Sequence, residues 1–129
     1  MSEITYLACP YSHPDRCVRL LRFQAVTQLA ARLIAKGEAI YSPITHGHAI
    51  TEIGLPMEWD FWKQHSLAML RVCSGMLIYC LDGWDSSIGI RAEVTQAQEW
   101  GIPVSFHLPE MEARIVRQTI QSQIPDPLF

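Results

Sequence analysis

The most restrictive feature of this sequence is the junction between residues 75 and 101. Gly75 to Leu81 reads GMLIYCL, a run without a polar alternation, which suits a strand covered on both faces rather than one with a wet side. It breaks into an acidic turn, Asp82-Gly83-Trp84-Asp85, then passes through Ser86, Ser87 and Gly89 into a helical pattern. Ile90, Val94, Ala97 and Gly101 recur there at the spacing of a core-facing stripe. Ser86 or Ser87 can cap this helix, and the N–H groups at such a mouth favour anions. Glu93 falls on or beside the stripe, on the inner side of the helix's first turn. A carboxylate turned inward is costly to bury unless it has work to do.

A doubly covered strand needs helices on both sides, and the rest of the chain supplies them. Residues 3–9 form an apolar first strand that Pro10 ends. A polar loop, Tyr11 to Asp15, leads with Asp15 as cap into a helix over Arg16 to Lys36, whose stripe runs through Val18, Leu21, Ala25, Val26, Leu29, Leu33 and Ile34 and closes at Gly37. Glu38 to Tyr41 is a brief second strand. Ile44 to Pro56, with two histidines and two glycines, reads as a long irregular segment of the kind that carries function. Met57 to Cys73 is helical, Ile102 to His107 a fourth strand and Pro109 to Gln123 a final amphipathic helix, with Pro125 to Phe129 as a tail. This alternation predicts an α/β protein with a doubly wound parallel sheet of four to five strands, a three-layer sandwich of flavodoxin-like or Rossmann-like kind. Such sheets bind ligands beyond the carboxyl ends of their strands, where the loops after the first, second and third strands converge.

At 129 residues, the whole chain (1–129) is expected to be a single domain. Hydrophobic residues make up 49% and charged residues 18%, which excludes a disordered chain. A net charge of −3 argues against a basic surface for nucleic acid, so no nucleic-acid partner is expected. No long apolar span or leader is evident, and Cys9, Cys17, Cys73 and Cys80 form no C-x-x-C pair; the expectation is a cytoplasmic protein with reduced thiols and no membrane partner.

The spacing Ser87-x-Gly89-x-x-x-Glu93, together with Tyr6-Leu7-Ala8-x-Pro10-Tyr11, resembles the nucleoside 2-deoxyribosyltransferase superfamily, which also holds deoxynucleoside monophosphate N-glycosidases. The segment from Tyr41 to His48 is similar to that of a small branch of it. The resemblance implies a glutamate nucleophile, Glu93, that attacks the anomeric carbon of a nucleoside or nucleoside monophosphate and expels the base, the sugar then passing to another base or to water; because nothing in the sequence marks a second base site, hydrolysis is expected over base exchange. It also implies one tyrosine hydroxyl beside the nucleophile. Tyr11, at the strand's carboxyl end, fits that role better than Tyr6, which is open to a plain core reading. Asp82 would touch the sugar or position the base, and Asp60 would hold or protonate the leaving base. A turn explains Asp82 more cheaply, and favourable placement at a helix N-terminus is the readier explanation of Asp60. Pro10, Ser87 and Gly89 would shape the sugar or phosphate subsite, although capping alone explains Ser87. His46 and His48 would line the pocket. With His13 they could also suggest a metal, but they lack the ligand pattern of a zinc site, so no metal and no organic cofactor is expected. For Trp59, Phe61 and Trp62 helix-core packing is the default; beyond it they would stack a base or build the interface of a homo-oligomer, a dimer or tetramer. The chain departs from the family pattern at Cys9 (glycine in the family), Ile90 (threonine) and Ser74 (aspartate). A non-catalytic protein binding a nucleotide or ADP-ribose-like metabolite in the same cleft is the alternative.

Overall fold

The computed structural model describes residues 3–123, so the tail from Pro125 to Phe129 lies outside the described residues. The elements follow in the order β1 (Ile4–Ala8), α1 (Arg16–Ala35), β2 (Ala39–Tyr41), α2 (Pro43–Glu52), α3 (Trp59–Arg71), β3 (Gly75–Tyr79), α4 (Ile88–Glu99), β4 (Val104–His107) and α5 (Pro109–Gln123). All strand pairs are parallel in the order β2-β1-β3-β4, which makes β1 and β3 the inner strands of a four-stranded sheet. Tyr6, paired with Tyr41 on one side and Met76 on the other, is therefore central.

The two-residue period of the strands sorts the core into two layers. Tyr6, Ala8, Met76, Ile78 and Cys80 face α3 and α4, where they meet Leu70, Cys73, Ile90 and Ala97. Leu7, Cys9 and Tyr79 face α1 and meet Val26, Leu29, Ala30 and Leu33. The strands read as continuous apolar runs because both sides are covered, and each fully buried Leu or Ile contributes about 1.5–3 kcal/mol. The stripe on α1 departs from the sequence reading in two places: Leu21 is 65% exposed, with Arg22 taking the inner position between Val18 and Val26, and Ile34 is 53% exposed.

The larger correction concerns residues 44–56, expected to be irregular. Most of that segment is helix α2. Ser42 caps it, its Oγ accepting from the Thr45 N–H at 3.3 Å, and Pro43 fills a first-turn position where its missing N–H is not needed. Gly47 and the branched Ile44, Thr45, Ile50 and Thr51 depress helix propensity, which hid it. Tertiary contacts override them. Thr45 bonds Thr27 of α1 hydroxyl to hydroxyl at 2.7 Å, and Gly47 packs on the Trp62 ring. No residue of α2 is fully buried: it covers the sheet's carboxyl edge instead of joining the core.

α5 is secured by charge. Glu112 accepts from Arg32 Nε and Nη2 at 2.9 and 2.6 Å, and lies 3.1 Å from His107 Nε2. Burial pushes the Glu112 carboxyl up, but Arg32 and His107 together outweigh it and hold it below the usual carboxylate range. Stability from this contact is present above that range and is lost as pH falls through it. We predict that Glu112→Ala costs about 3 kcal/mol at pH 7, by leaving the Arg32 guanidinium half-buried and unpaired, and that the difference shrinks in acid. Urea unfolding at several pH values checks this; an equal loss at pH 3 and pH 7 would refute it.

Candidate active site

In a sheet ordered 2-1-3-4 the chain leaves β1 and β3 in opposite directions, and a crevice opens between their carboxyl ends. Here it is a cleft of about 710 Å³. Its walls are the loop after β1 (Cys9 to Pro14), the inner side of α2 (Pro43, Ile44, Gly47, His48, Thr51), α3 and its approach (Met57 to Ser66), and the turn after β3 with the first turns of α4.

Glu93 forms part of this cleft although it is 6% exposed. It lies in the second turn of α4 rather than the first, because Ser87 is the cap and Ile88 the first helical residue. Its Oε2 accepts a hydrogen bond from the hydroxyl of Tyr6, which is completely buried. Ser66 of α3 reaches the same phenol. Burial pushes the Glu93 carboxyl up to about 7, against the pull of the Tyr6 hydrogen bond. Burial, and then the Glu93 charge, hold Tyr6 well above its ordinary value, so it stays a donor across the working pH range. The tyrosine that touches the glutamate is thus Tyr6 and not Tyr11. β1 turns residues 6 and 8 toward α4, whereas Tyr11 has passed the strand's end and pairs with His48 at 2.8 Å.

Of the other residues singled out from the sequence, Pro10, Tyr11, His48, Ser87 and Gly89 line the same cleft as Glu93. Ser87 is the α4 cap, its Oγ accepting from Ile90 N–H at 3.2 Å. Gly89 admits the ring of Trp59: a Cβ there would be 3.2 Å from it. Asp60, Asp82 and His46 are exposed and outside the lining. Asp82 contributes its carbonyl to Arg22, and His46 stacks near His65 and Tyr41. His46 and His48 diverge because residues two apart on a helix point to different sides. Among the described residues no group of three His, Cys, Asp or Glu is gathered to hold a metal. Trp59 and Trp62 face into the cleft while Phe61 is 48% exposed, which divides the aromatic helix between a wall and a surface.

Arg22 was missed. It lines the cleft and ties two of its loops together, donating to the carbonyls of Tyr11 and Ser12 at 3.4 and 3.1 Å and of Asp82 at 2.9 Å. Gly83 makes room for it, with φ of +92° and no Cβ to meet the guanidinium. The signal was present as a charge at an inward register position of α1. Of the departures from the motif, Cys9 and Ile90 are buried residues that line the cleft, and the Ser74 N–H is bonded to the Ile4 carbonyl at 2.8 Å at the sheet's opposite end.

A family model described as a domain of unknown function, DUF1937, matches residues 3–108. The chain belongs to that family. Among solved structures it is similar to a 2-deoxyribosyltransferase from the psychrotolerant bacterium Bacillus psychrosaccharolyticus, with a TM-score of 0.59 and 21% identity over 82% of this chain and 72% of that one. No curated protein is matched. At that identity the likeness establishes the fold, and the resemblance to the deoxyribosyltransferase superfamily is borne out at that level. No helix among the described residues is long and apolar enough to cross a membrane.

Glu93 holds its proton more tightly folded than unfolded, so its contribution to stability falls as pH rises from the usual carboxylate range to about 7. We predict that Glu93→Gln, which keeps the shape and removes the charge, is more stable than the wild type at pH 8 by about 3 kcal/mol and nearly equal to it at pH 4. Thermal melts at the two pH values decide the point; a variant less stable at pH 8 would contradict it.

Proposed function

We propose that this protein breaks the N-glycosidic bond of a nucleoside or nucleoside monophosphate, with Glu93 as nucleophile. The observation that carries the reading is a buried carboxylate at the floor of a cleft, hydrogen-bonded through one oxygen to a tyrosine that cannot readily ionise. The Tyr6 bond engages Oε2, so Oε1 is the oxygen proposed to attack C1′. Attack gives a glycosyl ester and releases the base; water, or a second base, then takes the sugar. Trp59 and Trp62 offer faces on which a base can stack. The α4 N-terminus and Arg22 favour an anionic or hydroxyl-rich group on the sugar side.

Only the ionised form of Glu93 attacks. Base release is therefore expected to rise with pH through about 7 and then level off. Tyr6→Phe removes a bond that stabilises the carboxylate, so it should move the rise to higher pH as well as slow the reaction. Glu93→Ala should lower turnover at least about 10³-fold. Chromatographic assay of free base from a panel of nucleosides and 5′-monophosphates measures all three. Release that survives Glu93→Ala unchanged excludes this mechanism. A ligand that raises the melting temperature yet stays intact in the presence of water and free bases supports the binding-protein alternative.

A further inference from the structure

Nucleophilic attack by Glu93 leaves one proton without a source. A base departing from C1′ takes the bonding electron pair on a ring nitrogen, and it leaves poorly unless that nitrogen, or another on the ring, is protonated. Glu93 cannot supply the proton, because it attacks as a carboxylate. Asp60 and Asp82 are outside the cleft lining, and Glu58 lines it from an exposed position.

On another wall of the cleft stands a different group. The Tyr11 hydroxyl is 2.8 Å from His48 Nδ1, and both residues line the cleft. The His48 ring is stacked on Phe23 with centroids 4.0 Å apart and planes 17° from parallel, which fixes its orientation. Its Nε2 is 3.7 Å from Glu52 Oε1, one helical turn along α2, and Glu52 is 3.4 Å from Arg16 Nη2. Arg16 and Arg19, from α1, face the same hydroxyl. Hydroxyl, imidazole and carboxylate thus follow one another outward from the cleft, the arrangement by which a proton-carrying group is backed by a second and oriented by a third. Burial holds the Tyr11 phenol above its ordinary value, so the oxygen keeps its proton at neutral pH.

We propose that Tyr11 and His48 are a proton relay for the leaving base, with Tyr11 as the catalytic residue and His48, steadied by Glu52, as the positioning residue behind it. This rests on the N-glycosidic reading of Glu93. As the C1′–N bond breaks, its electron pair goes to the base and the base takes the Tyr11 hydroxyl proton. The phenolate that remains accepts from His48 Nδ1–H and is faced by the Arg16 and Arg19 guanidiniums, which hold its charge until the second step. In the second step water attacks C1′, the C1′–O bond to Glu93 breaks with its pair returning to the carboxylate, and the water proton returns to the Tyr11 oxygen. The cycle consumes only water.

The test uses whichever nucleoside or nucleotide the wild type cleaves, with a series of analogues whose bases carry electron-withdrawing substituents and leave progressively more easily. Tyr11→Phe is expected to slow the parent substrate by at least about 100-fold and the best-leaving analogue by less than about fivefold, so that rate becomes steeply dependent on base acidity. His48→Gln should give the same steepening to a smaller degree, while Glu93→Gln should abolish cleavage across the series. A variant slowed equally on every analogue, or unaffected, overturns the relay and leaves the Glu93 reading standing. Cleavage of nothing by the wild type fails the Glu93 reading itself, and the relay falls with it.

Discussion

A hydrogen bond between residues 87 apart in sequence, from Tyr6 on the central strand to Glu93 on α4, is the constraint around which this molecule is arranged. Stripping a carboxylate of water costs several kcal/mol, and a neutral donor returns part of it without supplying a counter-charge. The remainder must be carried by the apolar packing of the same layer, where Tyr6 itself, Ile90 and Ala97 close around the contact. Any shift of α4 along the sheet would break the bond and strand the carboxylate. The position of the α4 N-terminus at the cleft therefore follows from the Tyr6 contact.

Two buried glutamates show how partners decide what a charge is for. Glu112 and Glu93 are almost equally inaccessible, yet the first is held below the usual carboxylate range and the second is pushed up to about 7. Glu112 meets a guanidinium and an imidazole; Glu93 meets a phenol. Compensated charge holds α5 onto α1 and β4. Uncompensated charge keeps a group near its titration point at neutral pH, which is where acid–base and nucleophilic chemistry are most easily run. The two glutamates lie on opposite faces of the sheet, so the Arg32–Glu112 pair does not offset the charge at Glu93.

The cleft also shows why a cover helix matters. α2 buries none of its residues completely, yet it brings His48 against Phe23 and sets Glu52 one turn behind it. A loop would leave those side chains to find one another. Capping by Ser42, the Thr45–Thr27 hydroxyl pair and the close approach of Gly47 to Trp62 make the segment helical where its propensity is weak.

The sequence by itself determined the architecture, because strand and helix periods and the caps at Asp15 and Ser87 are local properties, and doubly covered strands leave an unbroken apolar run that is hard to misread. It also marked Glu93, since a carboxylate on an apolar stripe is anomalous wherever the helix docks. The tertiary structure alone decided which tyrosine meets that carboxylate, because Tyr6 and Tyr11 differ only in which side of the strand's end they fall. It decided, too, that Arg22 rather than Leu21 turns inward, that Asp60, Asp82 and His46 stand apart from the cleft, and that residues 44–56 hold a helix. Each of these depends on a neighbour distant in the chain, and local propensity carries no record of such a neighbour.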